Sequence, residues 1–314
     1  MQVIVQAISK VATGIIRLTL RPVTAGDVPA HTPGAHIDLH LPGGFTRQYS
    51  LLGRAAPGTL EIAVNLDPGS RGGSVAVHRD LKLGDIIAID LPRNHFPLDE
   101  NAPHSVLIGG GIGITPLHAM ACRLAELGRG WTLYHCARTP DRTPFMAELR
   151  GLATAAGATL VHVHDGVPGI APLNLAAVID GAPEGAHFYC CGPAPLMAAF
   201  ATATAALPSA RVHVEYFSNT APRTEGEAFE VTCARSGTSL TVPADKSILE
   251  TLEAAGMAPL CSCREGVCGT CETTVLAGEP DHRDLVLSPE ERASNSTMMI
   301  CISRAKSDSL TLDI

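Results

Sequence analysis

The stretch Cys263-Arg264-Glu265-Gly266-Val267-Cys268-Gly269-Thr270-Cys271 constrains this chain most: it spaces three cysteines as C-x4-C-x2-C, and Cys301 follows downstream. Four thiolates at this plant-type ferredoxin spacing can hold a [2Fe–2S] cluster. The loop must wrap a compact anionic group, so Gly266 and Gly269 suit places where the backbone approaches sulfur and aims N–H groups at it. A structural zinc site fits less well, because it favours paired C-x2-C knuckles. A redox pair at Cys268 and Cys271 lacks the βαβ surroundings of a thioredoxin-like motif. Cys263, Cys268, Cys271 and Cys301 are the expected ligands. Cys261 falls outside the spacing and is expected to be a nearby free thiol. Cys122, Cys136, Cys190 and Cys233 sit in apolar stretches and read as small core residues.

The rest of the composition narrows the setting. A length of 314 residues suggests two or three domains. A net charge of −8 argues against a nucleic-acid binder, which needs a basic surface. The most apolar stretch, Val106 to Leu117, is broken by glycines and a proline, and no run reaches the roughly 20 apolar residues of a membrane span. The start of the chain lacks the basic and apolar regions of a signal peptide. A cytoplasmic monomer that binds neither nucleic acid nor membrane is expected, and a disulfide framework is not.

The chain changes rhythm twice. Val3–Val5, Ile15–Leu20, His36–His40 and Leu60–Val64 read as short strands punctuated by Gly and Pro, which suggests a small antiparallel barrel over residues 1–99. Residues 100–220 alternate strand runs (Ser105–Ile108, Thr132–His135, Leu160–Val163, His187–Cys190, Val212–Glu215) with Ala/Leu-rich helical segments, the pattern of a parallel sheet wrapped by helices. Thr115 is expected to cap the first of these helices, with Pro116 at its first position and Gly128 after its end. Ser218–Glu227 is small, polar and proline-containing, with a linker placed at 221–227. Strands resume over 228–314, with one short helix from Ser247 to Ala255.

Two further constellations carry chemistry. In the barrel, Arg47-Gln48-Tyr49-Ser50 offers a guanidinium fork for phosphate, a flat ring and a hydroxyl. Gly69-Ser70-Arg71-Gly72-Gly73-Ser74 offers consecutive backbone N–H groups and a second arginine, as an anion nest does; a surface turn is the plainer reading. In the second part, Gly109-Gly110-Gly111-Ile112-Gly113-Ile114-Thr115-Pro116 follows a strand and opens a helix, where pyrophosphate can approach free N–H groups. Its spacing departs from G-x-G-x-x-G, so an ordinary Rossmann dehydrogenase is disfavoured. Cys191-Gly192-Pro193 follows a strand at the carboxyl edge where open α/β sheets bind ligands.

These motifs, in this order, resemble the phthalate dioxygenase reductase family, the reductase components of Rieske oxygenase systems, over essentially the whole chain. The resemblance implies an antiparallel β-barrel flavin domain, an α/β parallel-sheet nucleotide domain and a β-grasp plant-type ferredoxin domain. It places the FMN phosphate at Arg71, Gly72, Gly73 and Ser74, with Arg47, Tyr49, Ser50 and Val64 beside the flavin. The dinucleotide would lie against Gly110, Gly111, Gly113, Thr115, Cys191, Gly192 and Pro193. Ser50, Thr115, Cys191 and Phe217 would surround the point of hydride transfer, Phe217 shielding the flavin face, with Tyr216 left as a packing aromatic. Pro92-Arg93-Asn94-His95-Phe96 would join domains.

NADH, FMN and the [2Fe–2S] cluster are thus the expected cofactors. One hydride would become two single-electron deliveries to a Rieske-type oxygenase component of an aromatic ring dioxygenase or O-demethylase system. Arg138 or Arg142 could instead favour the 2′-phosphate of NADPH, and Asp141 stands nearby. The short loop at Gly72-Gly73 fits FMN better than FAD. From Ala228 to Ile314 there are 13 acidic and 7 basic side chains, a net −6 that either steers docking onto a basic patch or serves solubility. His162 and His164 share a strand face and are expected to be structural. A free-standing flavin or quinone reductase and a cluster-based redox sensor are the alternative functions.

Overall fold

In the computed structural model, which describes residues 1–24, 28–67, 69, 72–219, 221 and 226–314, Gln2–Ala12 (β1) and Ile15–Pro22 (β2) pair antiparallel around a turn in which Gly14 takes φ +75°. A residue without Cβ adopts that left-handed conformation at little cost. His36–Leu41 (β3), Phe45–Ser50 (β4), Leu60–Asn65 (β5) and, after the helix Gly73–Arg79 (α1), Ile86–Ile89 (β6) complete a sheet ordered β4-β3-β6-β1-β2-β5. It curls shut. Leu51 bridges Ile62, and Leu52 N–H donates to the Glu61 carbonyl at 2.8 Å. Val3, Val5, Leu18, Leu20, Ile37, Leu39 and Ile62 fill the interior.

The next strands are all parallel: His104–Gly110 (β7), Gly130–Ala137 (β8), Thr159–His164 (β9), His187–Cys191 (β10) and Val212–Glu215 (β11), ordered β11-β10-β7-β8-β9. The helices Ile114–Glu126 (α2), Met146–Ala156 (α3), Leu175–Asp180 (α4) and Ala194–Thr204 (α5) alternate with them. Strand order reverses between β7 and β10, the kind of switch point where such sheets bind ligands. Both faces of the sheet are covered, which is why its strands read as continuous apolar runs.

One apolar core joins Ala12, Ile15, Leu52 and Ala63 of the barrel to Leu117, Met120, Trp131 and Leu149 of the parallel-sheet layer. Met1–Phe217 is accordingly one compact unit, and Ser218–Ile314 is a second. Most of the expected linker, 222–225, lies outside the described residues.

The second unit has its own core, built on Phe229, Val231, Ile248, Leu252, Met298 and Leu310. Phe229–Cys233 (β12), Thr238–Val242 (β13), Glu272–Ala277 (β14), Thr297–Met299 (β16) and Ser309–Leu312 (β18) form a mixed sheet ordered β13-β12-β18-β14-β16, in which β12 and β18 run parallel. Pro280–Asp281 (β15) pairs with Arg304–Ala305 (β17). The helix Ile248–Ala254 (α6) starts on Ser247 through a capping box with Glu250, as Pro289–Ser294 (α7) starts on Ser288 with Glu291.

One expectation fails locally. Thr115 does not cap α2: the helix begins at Ile114 behind Gly113, and the Thr115 hydroxyl donates to the Ile112 carbonyl at 3.0 Å. The preceding glycine turn already leads into the helix, so the hydroxyl is spent one turn back on the loop. Gly128 follows the helix at φ +64°, as a terminating glycine should.

Candidate functional site

The barrel brings its polar motif together around α1. Arg47 lies directly over the start of the helix, where a Cβ on Gly73 would sit 2.5 Å from Arg47 Cγ. Gly73 must therefore be glycine for the guanidinium stem to pass. Gly72 precedes it at φ +92°, and the Ser74 hydroxyl accepts from Asp67 N–H at 3.2 Å. Arg71 lies outside the described residues. Tyr49 is half-buried, and burial pushes its phenol up to about 12. The Val64 side chain is 1 % exposed and belongs to the barrel core, while its carbonyl meets His78 Nε2 at 3.0 Å.

Ser50 ends β4 and reaches the parallel sheet. Its neighbour there is Glu215, the last residue of β11, which stands in register with Cys191 of β10. Ser50 Oγ and Glu215 Oε2 are both sealed from solvent and complete no hydrogen bond of ordinary geometry. Burial raises the Glu215 carboxyl to about 8, and the Ser50 hydroxyl offsets part of that rise. Cys191 is fully buried, and burial followed by the Glu215 charge lifts its thiol well above the ordinary range. Such a thiol stays protonated and is a poor nucleophile. Buried polar atoms without partners are costly. Ser50, Cys191 and Glu215 thus gather buried polar groups at the carboxyl edge of the sheet.

Glu215 is the residue that sequence reasoning missed. The available signal was an acid at the carboxyl end of an apolar parallel strand, beside two aromatics. Those aromatics part company: Tyr216 packs against the core between the sheet and α4/α5, whereas Phe217 is 39 % exposed. Cys190 points to the opposite face from Cys191, with its Sγ 3.7 Å from Met197 Sδ.

The two glycine-bearing loops meet backbone to backbone. A Cβ on Gly113 would lie 2.3 Å from the Cys191 carbonyl oxygen, and one on Gly110 would lie 2.6 Å from Pro193 Cδ and 3.3 Å from Gly192 Cα. Larger residues would push these loops apart. Arg138, at the end of β8, is 77 % exposed and faces the Asp165 carboxylate at 3.6 Å. Gly166 N–H holds the Arg138 carbonyl at 2.9 Å, which pins that acid beside the arginine. Asp141 accepts from the Thr139 hydroxyl at 2.6 Å. His162 and His164 stack with ring centroids 6.2 Å apart, and Thr143 Oγ1 meets His164 Nε2 at 3.1 Å.

In the second unit the thiols of Cys263, Cys268, Cys271 and Cys301 are all buried. Cys301 touches both Cys263 and Cys271, Cys263 touches Cys268, and Cys261 reaches Cys271 and Cys301. Arg264, Gly266 and Gly269 take φ of +59°, +66° and +73°, so the loop winds around the sulfurs with its N–H groups turned inward. Glu265 N–H donates to Cys263 Sγ at 3.3 Å, and Thr270 Oγ1 lies 3.2 Å from Cys268 Sγ. Donors aimed at sulfur favour an anionic iron–sulfur group, and the residues present fit a [2Fe–2S] cluster. Arg264 is held outside by Glu253 at 3.0 and 2.5 Å.

Comparison with known proteins agrees. Residues 231–306 match the 2Fe-2S iron-sulfur cluster binding domain, and residues 107–202 match the oxidoreductase NAD-binding domain. The chain is 49% identical over 312 residues to phenoxybenzoate dioxygenase subunit beta of Ectopseudomonas oleovorans, covering 99% of this chain and 96% of that one. It is 46% identical over 314 residues to tetrachlorobenzoquinone reductase of Sphingobium chlorophenolicum, covering 99% and 97%. Among solved structures, phthalate dioxygenase reductase superposes with a TM-score of 0.73 at 37% identity, covering 100% of this chain and 98% of that one. An intact type IV self-sufficient cytochrome P450 monooxygenase superposes with a TM-score of 0.89 at 36% identity, covering 100% of this chain, which spans 41% of that longer one.

Proposed function

The chain belongs to the phthalate dioxygenase reductase family, and from that premise we propose that it carries electrons from NADH through FMN and a [2Fe–2S] cluster to the oxygenase component of a Rieske-type system. When bound, FMN accepts a hydride and the cluster passes electrons on singly. The observation that carries this reading is the meeting of Ser50 from the barrel with Glu215 and Cys191 at the carboxyl edge of the sheet. A flavin edge and a nicotinamide must come together at one such place.

The chain's own residues bind, orient and exclude water. Arg47 and the Gly72–Ser74 segment would hold the flavin phosphate, with Tyr49 against the ring. Ser50 would offer its hydroxyl to the flavin edge, and burial lifts the Glu215 carboxyl to about 8, so that its protonated form can donate a hydrogen bond there. Gly110, Gly111, Gly113 and Gly192 keep the loops low enough for a pyrophosphate. Thr115 and Cys191 line the approach, and Phe217, exposed at the end of β11, covers the ring from solvent. Asp165 supports NADH over NADPH, because a 2′-phosphate beside Arg138 would meet a carboxylate already in place. Cys263, Cys268, Cys271 and Cys301 would hold the cluster.

The test is an anaerobic titration of the purified chain with NADH, followed across the visible spectrum. Loss of flavin and then cluster absorption, with FMN recovered on heating, is expected. Zinc or no metal at the thiols, or cluster absorption untouched by NADH, overturns the reading. The second relative supports a different acceptor, a quinone. Turnover with a quinone that survives loss of the cluster would favour that alternative. No helix among the described residues is long and apolar enough to cross a membrane.

A further inference from the structure

We propose that Asp284 is a positioning residue for the cluster, tying its binding loop to the turn of its last ligand and setting its reduction potential through a fixed negative charge. This rests on the assignment of a [2Fe–2S] cluster to Cys263, Cys268, Cys271 and Cys301. The second unit is acidic at its surface, but Asp284 is not part of that surface: it is 1 % exposed. Its Oδ2 accepts from Val286 N–H at 3.1 Å and Leu287 N–H at 2.9 Å, and the Ser303 hydroxyl donates to Oδ1 at 3.4 Å. Ser303 stands two residues beyond Cys301.

The same residue presses on the other half of the ligand set. Gly266 lies between Cys263 and Cys268 at φ +66°, and a Cβ there would come 3.1 Å from Asp284 Cα and 2.5 Å from Ile302 Cγ2. Leu285 N–H donates to the Gly266 carbonyl at 2.8 Å. Asp284 thus packs directly against the Gly266 turn of the ligand loop, with its carboxylate shielded from solvent.

An arginine and an imidazole answer it from the outer side. His282 Nδ1 and Arg292 Nη2 each lie 3.8 Å from its oxygens, and Arg292 also donates to the Asp284 carbonyl at 2.6 Å. Both line an open cavity of about 470 Å³ with Glu279, Asp281, Asn295 and Lys306. A negative charge near the cluster opposes arrival of an electron, and a positive one favours it, with little screening in a buried setting. Asp284 therefore lowers the potential, and Arg292 raises it by offsetting Asp284. Their removal must move the potential in opposite directions, which a purely structural role would not do.

The experiment compares full-chain protein with Asp284→Asn and Arg292→Gln. The amide keeps an oxygen for Val286 and Leu287 N–H and turns an NH2 toward the Ser303 hydroxyl, which can accept from it, while removing the charge. Iron and sulfide content is measured first, then the cluster potential by dye-mediated reductive titration with visible and electron paramagnetic resonance detection. Asp284→Asn is expected to shift the potential up and Arg292→Gln down, both at full cluster content. Unmoved potentials, or shifts of the same sign, overturn the assignment. If Asp284→Asn assembles no cluster, Arg292→Gln decides alone: a downward shift supports the assignment, and no shift or an upward one overturns it. A parent protein without iron and sulfide overturns the cluster reading itself, whereas a loaded parent with unmoved variants overturns the role of Asp284 only.

Discussion

Asp165 is where cofactor choice is most open to test. An acid after the second strand of a dinucleotide-binding sheet commonly meets the ribose hydroxyls. Here that position is Arg138, and the acid arrives from the end of the next strand, so a search of one loop misses it. Asp165→Ser should free Arg138 for a 2′-phosphate and lower the preference for NADH over NADPH by about tenfold, the equivalent of ~1.4 kcal/mol. Steady-state kcat/KM for both nucleotides measures this; an unchanged ratio would show that Arg138 and Asp165 do not reach the ribose. Glu215 and Asp284 escaped the sequence for a related reason. Each matters because of what buries it, and the burying residues (Ser50 and Cys191 for one, Gly266 and Ser303 for the other) are far away along the chain. The cysteine loop was legible because ligand chemistry dictates its spacing locally.

Beside the shared apolar core, an ionic contact joins barrel to sheet layer. Glu148 of α3 accepts from Arg17 of β2 at 2.5 Å and from His118 Nε2 of α2 at 2.9 Å, and the Arg17 guanidinium lies 4.8 Å over the Phe145 ring. His118 Nδ1 in turn accepts from Gly53 N–H at 3.3 Å, so both ring nitrogens are engaged. The His118 hydrogen bond, with Arg17 second, pulls the Glu148 carboxyl down to about 2 from its ordinary 4.5. The folded chain therefore favours the ionised form. The stabilisation is complete above pH 4.5 and is lost as pH falls toward 2. Glu148→Gln should lower the melting temperature of the first unit near neutrality, with the gap to the parent closing through that window. Scanning calorimetry across pH checks it; a gap that stays constant would mean the carboxylate charge does not hold the elements. At this scale the sequence was readable where burial imposes apolar runs, as in β7 and β10. It was silent for β4, whose Thr46-Arg47-Gln48-Tyr49 is polar and shows no apolar run, and for the four-residue β6.

The whole molecule separates chemistry by unit, and its two compact units have separate apolar cores. Removing one cluster ligand should then abolish the cluster without unfolding the barrel and nucleotide sheet. Cys301→Ser is the variant of choice, since Cys301 is reached by both halves of the thiol set. NADH oxidation with ferricyanide or a quinone, which can draw electrons from the flavin, is expected to persist. Reduction of cytochrome c or of an oxygenase component, which needs single electrons delivered by the cluster, is expected to fall to background. This division also separates the two candidate acceptors. A physiological quinone reductase would show fast quinone turnover untouched by Cys301→Ser and no functional oxygenase partner. An oxygenase reductase must lose its partner reaction when the last thiolate is gone. Should Cys301→Ser retain both its iron and its cytochrome c activity, Cys261, which lies against Cys271 and the same site, would be the replacement ligand to substitute next in the same variant.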